Sequence, residues 1–312
     1  RLVGSEMCIR DRYSVQRQNR TANPLFFRQV LTYNIYMKRI YTFGHEQVER
    51  NITVGDIIEN KNNNLKMTQV TAANQEEAEI IASQEIDMII TGSDWYQDVR
   101  KGAPNTFITA ALFAGRFITH EEILRGAFDV MMAGADSVLT PRSFDVVEML
   151  AKEGMQVQGH VGMVPSMATK YGGIRTVGKT ADEAVAILKD MKRLEDAGAF
   201  GAEVECVAED ALIEIKKHTS LVINSLGSGS GGDVMFLFFE DICGETTGIK
   251  MPRHAKSWGD GKQIKRQLNE ERSKAIQGFK TEVDNNTYPD KEHIIEMLPG
   301  EKDQLLEQLN KM

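Results

Sequence analysis

The feature that most restricts the fold of this chain is an alternation of short apolar runs with amphipathic runs from Leu65 onward. The apolar runs read as strands, at 65–72, 87–92, 106–112, 136–141, 156–162, 201–207, 221–227 and 234–239. The segments between them have helical patterns, and in "THEEILRGAFDVMMAGA" the residues Thr119 and Glu122 predict a capping box. Apolar strands that alternate with amphipathic helices predict parallel pairing with right-handed crossovers.

Seven or eight such units over about 250 residues favour an α/β fold of the (β/α)8 barrel type. An open doubly wound sheet is the alternative. We expect residues 37–64 to form an N-terminal segment, residues 65–258 the barrel and residues 259–312 a C-terminal helical extension. In either fold, ligands bind at the carboxyl ends of the strands.

Residues 1–36 differ from the rest of the chain. They contain six Arg, no Lys and two acidic residues, and their apolar residues are scattered without a clear period. An Arg-rich, acid-poor leader is typical of a transit peptide. However, "VGSEMCIRDR" also resembles translated adaptor sequence at the ends of assembled environmental reads. We favour a non-native leader, with translation beginning at Met37, and leave it out of the fold argument.

Composition argues against several classes of protein. The 312 residues carry a formal net charge of −8 and no basic patch interleaved with aromatic residues, so nucleic acid is not expected as a partner. No apolar run approaches the roughly 18 residues of a membrane helix. Three Cys lack disulfide or metal spacing, which predicts a reducing cytoplasm.

Polar and charged side chains follow several of the predicted strands. They are Ser93, Asp94, Thr140, Arg142, Ser143, His160, Glu205, Asn224 and Ser225. Hydroxyls, one guanidinium, one imidazole and carboxylates at one end of a barrel suit a small anionic substrate and proton abstraction. For His160, in "QVQGHVGMVP", the residues alone leave two interpretations open: a packed structural side chain, or one that faces a site.

A succession of motifs resembles the ketopantoate hydroxymethyltransferase family, which belongs to the barrel superfamily of phosphoenolpyruvate mutase and isocitrate lyase. They include "GHVGMVP", "YGGIRTVGKTADEA", "LEDAGAFGAEVECV", "LGSGSGGD" and "GIKMPRHAKSW". The resemblance spans about residues 66–297 in consistent order. It implies enolisation of a small 2-oxo acid, 3-methyl-2-oxobutanoate, with Mg²⁺, and addition of a one-carbon unit from methylenetetrahydrofolate. A homo-oligomer is also implied by the resemblance.

The resemblance assigns roles to individual residues. Glu205, in "ECV", matches the family's catalytic base, although a paired structural carboxylate is the alternative. His160 matches a histidine of the site wall. We also expect Ser93, Arg142 and Ser225 to bind substrate. We expect Glu203, by contrast, to face solvent or a helix.

The metal-binding residues of the family are mostly absent. Its aspartate at the end of strand three falls on Ala111, and its strand-four lysine and glutamate fall on Leu139 and Pro141. Asp94 is the carboxylate that could still hold Mg²⁺. Arg142 enters beside the lost carboxylate, and we hypothesise that it takes over part of the cation's role. The alternative is a surface Arg at a helix start.

Two other functions stay open from the sequence. One is carbon–carbon lyase chemistry on a keto or hydroxy acid, as elsewhere in the superfamily. The other is a catalytically silent homologue that binds a metabolite or a partner. Turnover would separate the two enzymatic interpretations from the silent one.

Overall fold

Eight parallel strands close into a barrel in the computed structural model, which describes residues 37–113, 115–248 and 251–312. The barrel strands are β3 (Met67–Thr71), β4 (Met88–Gly92), β5 (Phe107–Ala111), β6 (Ser137–Leu139), β7 (Val157–Gly162), β8 (Gly201–Glu205), β9 (Val222–Leu226) and β10 (Val234–Leu237). They neighbour one another in chain order, and β10 pairs with β3 to close the ring. The predicted (β/α)8 barrel is confirmed, and the open sheet is excluded. The predicted leader lies outside the described residues.

Helices connect the strands and continue beyond them. They are α1 (Val54–Asn62), α2 (Gln75–Ser83), α3 (Tyr96–Gly102), α4 (His120–Met132), α5 (Phe144–Lys152), α6 (Ala181–Asp196), α7 (Glu209–Lys216), α8 (Phe239–Cys243), α9 (Gly261–Asp284) and α10 (Glu301–Leu309). Short 3-10 helices occupy Pro165–Tyr171, Gly229–Gly231 and Lys291–His293. Local chemistry fixes their ends: Thr119 caps α4 and forms the predicted capping box with Glu122.

An antiparallel hairpin precedes the barrel, formed by β1 (Lys38–Tyr41) and β2 (Gln47–Arg50). At its end, the buried guanidinium of Arg50 donates to Asp136 at 2.7 Å and to the Gly134 carbonyl at 3.1 Å. Arg100 donates to the second oxygen of the Asp136 carboxylate, also at 2.7 Å. Because the buried charges are paired, the network can tie the hairpin to the amino-terminal ends of the strands.

The barrel interior is filled by side chains in layers, as expected for eight strands. An apolar layer lies at the amino-terminal ends, with Met67, Met88, Phe107, Val222 and Val234. A second apolar layer lies towards the carboxyl ends, with Ile90, Ala111, Leu139, Leu226 and Phe236. Polar side chains of β5, β6, β7 and β9 hydrogen-bond to one another between them. The barrel interior therefore contains a hydrogen-bonded polar layer between two apolar layers.

The C-terminal segment is helical, as predicted, and differs from the barrel in its exposure. No residue of α9 or α10 is buried. Over the residues that the structure describes, no helix combines the length and the apolar character that spanning a membrane requires.

Candidate active site

The carboxyl ends of β7 and β8 bring together one imidazole and two carboxylates. His160 lies in register with Glu203, and Gly162 with Glu205, so the three side chains occupy adjacent positions on neighbouring strands. His160 Nε2 lies 3.1 Å from Glu205 Oε2 and 3.6 Å from Glu203 Oε1. Their side chains are between 8% and 17% exposed, so the cluster is almost enclosed yet open to the barrel mouth.

The position of Glu203 differs from our expectation, which was wrong. Side chains alternate along a strand, so residues two apart, such as Glu203 and Glu205, point to the same face. The neighbouring residues Ala202 and Val204 point outward and pack in the core shared with the helices. Glu203 is therefore on the barrel interior and is buried, with 7% of the residue exposed.

The three groups shift one another's pKa values. Burial disfavours a charged imidazole, but the hydrogen bond to Glu205 and the charges of Glu203 and Glu205 outweigh it and raise the pKa of His160. Burial also raises the pKa of Glu203, against the opposing charge of His160. The cluster therefore favours an imidazolium between two acidic groups, which keeps positive charge next to Glu205.

The backbone at the end of the two strands is tightly fitted. Gly162 has φ +89°, and a Cβ at this position would overlap the carbonyl of Glu205. The same carbonyl accepts a hydrogen bond from Met163 N at 2.8 Å. Cys206, directly after Glu205, adopts φ +51°, which is unusual for a residue with a side chain. The chain direction at Glu205 is thus set by its backbone neighbours on β7.

A chain of polar side chains lies below the cluster. Asn224, in register with Glu203, donates from Nδ2 to the Gln158 side-chain oxygen. Gln158 donates in turn to Thr109 Oγ1 at 3.0 Å, and Thr109 bonds to Ser137 at 2.8 Å. Buried polar side chains that bond to one another hold their rotamers. The chain therefore supports the floor of the site.

Ser93 and Asp94 follow β4 on another side of the barrel. Ser93 Oγ is buried and has no hydrogen-bond partner among the described residues, so it can still bind a ligand. The Asp94 side chain is 47% exposed and pairs with Arg116. Among the described residues, no hydrogen bond or ion pair joins Ser93 or Asp94 to the cluster on β7 and β8, and their predicted roles stay predictions.

Arg142 uses part of its guanidinium to bind the loop that precedes α4. Its Nη1 donates to the Phe117 carbonyl at 3.1 Å and its Nη2 to the Ile118 carbonyl at 2.9 Å. A guanidinium has five N–H donors, so three are left for other partners. The predicted contact with substrate is therefore compatible with this position but is not tested by it.

Ser225 is placed away from the cluster. It lies in register with Val204, an outward-pointing residue, and not with Glu205. Its hydroxyl donates to the Gly229 carbonyl at 2.8 Å, within the loop after β9. A role in substrate binding stays a prediction for Ser225, while its observed hydrogen bond stabilises the loop.

The Mg²⁺ implied by the family resemblance does not fit the place where the family holds it. Ala111, which replaces the family's aspartate, and Leu139, which replaces its lysine, belong to the apolar layer with Ile90. Asp94 offers a carboxylate there, but it is exposed and paired with Arg116. Mg²⁺ needs several oxygen ligands in octahedral geometry. Among the described residues, the group that could hold a metal ion is instead His160, Glu203 and Glu205.

A separate cavity lies at the opposite end of the barrel. It measures about 530 Å³ and is lined by residues of the β1–β2 hairpin and of the strand starts, such as Phe43, Ile52 and Phe107. It is remote from the carboxyl ends of the strands, where barrel enzymes place their chemistry. The cluster, not this cavity, is therefore the candidate active site.

Comparison with known proteins gives one family. A family model described as ketopantoate hydroxymethyltransferase matches residues 93–291. Three relatives named 3-methyl-2-oxobutanoate hydroxymethyltransferase illustrate the similarity. That of Francisella tularensis is 28% identical over 73% of this chain and 93% of its own. That of Cenarchaeum symbiosum is 34% identical over 59% of this chain and 68% of its own. That of Thermosipho africanus is 28% identical over 78% of this chain and 98% of its own.

Solved structures give a more distant similarity. A structure described as 2,3-dimethylmalate lyase, a PEP mutase/isocitrate lyase superfamily member, is 12% identical. It aligns over 83% of this chain and 100% of its own with a TM-score of 0.46.

Proposed function

The chain belongs to the ketopantoate hydroxymethyltransferase family, and we propose that it enolises a small 2-oxo acid, 3-methyl-2-oxobutanoate, and adds a one-carbon unit from methylenetetrahydrofolate. The observation that supports this proposal is the contact between His160 and Glu205 at the carboxyl ends of β7 and β8. A carboxylate that can accept a proton, next to an imidazole that can carry positive charge, would supply what formation of an enolate requires.

Glu205 is proposed to remove the proton from the carbon next to the ketone. The carbon–hydrogen bond breaks, its electron pair moves towards the ketone oxygen, and the proton passes to the carboxylate. Methylenetetrahydrofolate holds the one-carbon unit as a CH₂ group between two nitrogens, so its transfer as a hydroxymethyl group needs a water molecule. Water breaks both carbon–nitrogen bonds: its two protons pass to the nitrogens, and its oxygen stays on the carbon as formaldehyde. The nucleophilic carbon then bonds to the formaldehyde carbon, the electron pair of the C=O bond moves to the oxygen, and this oxygen takes the proton held by Glu205.

The positive charge near the developing oxyanion is proposed to come from the chain itself. His160 lies between Glu203 and Glu205, whose hydrogen bond and charges raise its pKa against the effect of burial and so favour the imidazolium. Arg142, with three uncommitted donors, is proposed to bind the substrate carboxylate. Mg²⁺ does not fit the family's position on this chain, so no step here depends on it. The cytoplasmic location and the homo-oligomeric state stay predictions.

Deuterium exchange tests the base directly. Proton NMR of 3-methyl-2-oxobutanoate in D₂O with the protein should show loss of the signal of the proton at C3. In Glu205→Gln the exchange should fall by at least about a hundredfold, because the amide cannot accept the proton. Glu240→Gln, which changes an exposed carboxylate on α8, should exchange like the wild type.

The exchange should be measured with and without Mg²⁺. Exchange in metal-free buffer that disappears in Glu205→Gln supports the proposal. If the wild type exchanges no deuterium under either condition, the enolisation proposal is wrong, and other keto and hydroxy acids become the substrates to examine.

A further inference from the structure

Glu203 is a buried carboxylate that the proposed reaction does not use. Its side chain is 10% exposed, and it makes no side-chain hydrogen bond within the described ranges; His160 Nε2 lies 3.6 Å from its Oε1. A buried carboxylate without hydrogen bonds is costly unless a cation or a proton compensates its charge. At Glu203 the compensating group can be the proton of His160 or a cation in the barrel mouth.

The distances within the cluster match those between ligands of one metal ion. Metal–ligand bonds of about 2.1 Å at tetrahedral or octahedral angles place neighbouring donor atoms about 3.0–3.4 Å apart. His160 Nε2 lies 3.1 Å from Glu205 Oε2 and 3.6 Å from Glu203 Oε1. One ligand atom from each of the three residues lies within 4.8 Å of the other two. Small changes of side-chain torsions would bring all three donors onto one ion.

The ligands are also held rigidly. His160 and Glu203 are paired residues on adjacent strands, and Glu205 is paired with Gly162 on the same two strands. Sites on strands hold their geometry better than sites on loops. Asn224, in register with Glu203 on the other side, is fixed by Gln158. Binding would therefore need little ordering of the chain.

The donor set selects the class of ion. Mg²⁺ prefers oxygen ligands only, whereas an imidazole nitrogen with two carboxylates suits Mn²⁺, Fe²⁺, Co²⁺ or Zn²⁺. We propose that His160, Glu203 and Glu205 form a binding site for one divalent transition-metal ion of this borderline class. Three protein ligands leave further coordination positions open to the barrel mouth, where the carboxylate and ketone oxygens of a 2-oxo acid can bind.

The site includes the proposed base. A carboxylate has two oxygens, so an ion on one oxygen of Glu205 leaves the other able to accept a proton, although with lower basicity. A proton and an ion cannot occupy His160 Nε2 together, so in the metal-bound form the ion replaces the imidazolium as the positive charge beside Glu205. The inference goes beyond the proposed reaction, because it depends on the geometry of three ligands and its test measures binding and not turnover. The metal site can therefore be disproved without disproving the proposed reaction, and the reverse also holds.

Equilibrium dialysis of the metal-stripped full chain against Zn²⁺, Mn²⁺ or Mg²⁺, followed by measurement of the metal content, tests the site. We expect one equivalent of Zn²⁺ or Mn²⁺, bound at least about tenfold more tightly than Mg²⁺. Glu203→Gln keeps the shape of the side chain but removes its charge, and it should lower the affinity at least about tenfold. Asp94→Asn is the matched control at the family's metal position and should bind like the wild type.

A spectroscopic readout identifies the ligands independently. Pulsed electron paramagnetic resonance of the Mn²⁺-loaded protein should show coupling to an imidazole nitrogen, and His160→Gln should remove it. Circular dichroism establishes that each variant is folded. Absence of binding by the wild type would overturn the proposal, as would equal binding by Glu203→Gln, or loss of binding in Asp94→Asn.

Discussion

Gly162 is the residue at which the backbone of β7 meets the base most closely. It adopts φ +89°, and an added Cβ would overlap the Glu205 carbonyl. Gly154 has a similar φ of +82° but no heavy atom within 4 Å of an added Cβ. The two glycines therefore separate the cost of the backbone conformation from the cost of the close approach.

Gly162→Ala should destabilise the protein more than Gly154→Ala does. The positive φ alone costs about 1 to 2 kcal/mol in either variant. The overlap with Glu205 adds to this in Gly162→Ala and displaces the base, so its deuterium exchange should fall as well. Urea unfolding and the exchange assay measure both effects. Equal destabilisation of the two variants would show that the carbonyl of Glu205 can move away freely.

At the scale of elements, the carboxylate of Glu195, at the end of α6, binds residues that lie just before β9. Glu195 accepts hydrogen bonds from Thr219 Oγ1 at 2.6 Å and from Ser220 Oγ at 2.9 Å, and it pairs with Lys192 at 2.7 Å. Burial opposes its charge, but the hydrogen bonds from Lys192, Thr219 and Ser220 outweigh it and lower the pKa of Glu195 to about 2. The ionised form therefore stabilises this junction.

Stability should follow the ionisation of Glu195. Its folded pKa lies below its ordinary value of 4.5, so its contribution is present above that value and is lost as the pH falls towards about 2. Glu195→Gln should lower the free energy of unfolding at pH 7 by roughly 1 to 3 kcal/mol, and the difference from wild type should shrink below pH 4.5. Urea unfolding across this range measures it. The exposed Glu153→Gln is the control and should show little difference at any pH.

Arg142 joins the start of α5 to the loop before α4. It donates to the carbonyls of Phe117 and Ile118. Arg142→Ala should raise the KM for the 2-oxo acid by about tenfold or more, because the loop and the proposed carboxylate contact are lost together. Arg142→Lys should not restore it, since an ammonium cannot bridge two carbonyls in the same fork geometry. An unchanged KM in Arg142→Ala would contradict the predicted role in binding.

On the scale of the whole molecule, α9 carries an apolar stripe that stays largely exposed, although Tyr288 packs against Phe279. Ile264, Leu268, Ile276, Phe279 and Val283 recur at helical spacing, and each is at least 44% exposed. An isolated amphipathic helix gains most of its stability from packing its apolar face. A second copy of the chain is the partner that the predicted homo-oligomer would supply.

Charges within this stripe should weaken the oligomer. The double variant Ile264→Asp, Ile276→Asp is expected to sediment as a smaller species than the wild type in analytical ultracentrifugation. Gln267→Asp with Gln277→Asp adds the same charge to the polar face and should leave the sedimentation coefficient unchanged. A wild-type protein that sediments as a monomer would contradict the prediction.

Local sequence patterns are sufficient to predict the helices and strands. The capping box of Thr119 and Glu122 depends on residues three apart, and the strands follow from apolar runs, so both could be predicted from the sequence. The proximity of His160 and Glu205 could also be expected, because barrel topology gathers the ends of β7 and β8; their roles stay predictions. Glu203 was assigned to the wrong environment, although its spacing of two from Glu205 on a strand carried the necessary signal.

The sequence by itself determined the barrel, its family and two neighbouring residues of the candidate site, because period, order of elements and motifs are properties of the chain. Only the tertiary structure decided which side chains share the barrel interior. Closure of the ring brings Asn224, Gln158 and Thr109 into one hydrogen-bonded chain and sets Glu203 beside His160. It also brings two backbone carbonyls of a loop distant in sequence within hydrogen-bond distance of Arg142. These contacts depend on strand register and side-chain rotamers, which are fixed only when the whole interior packs together.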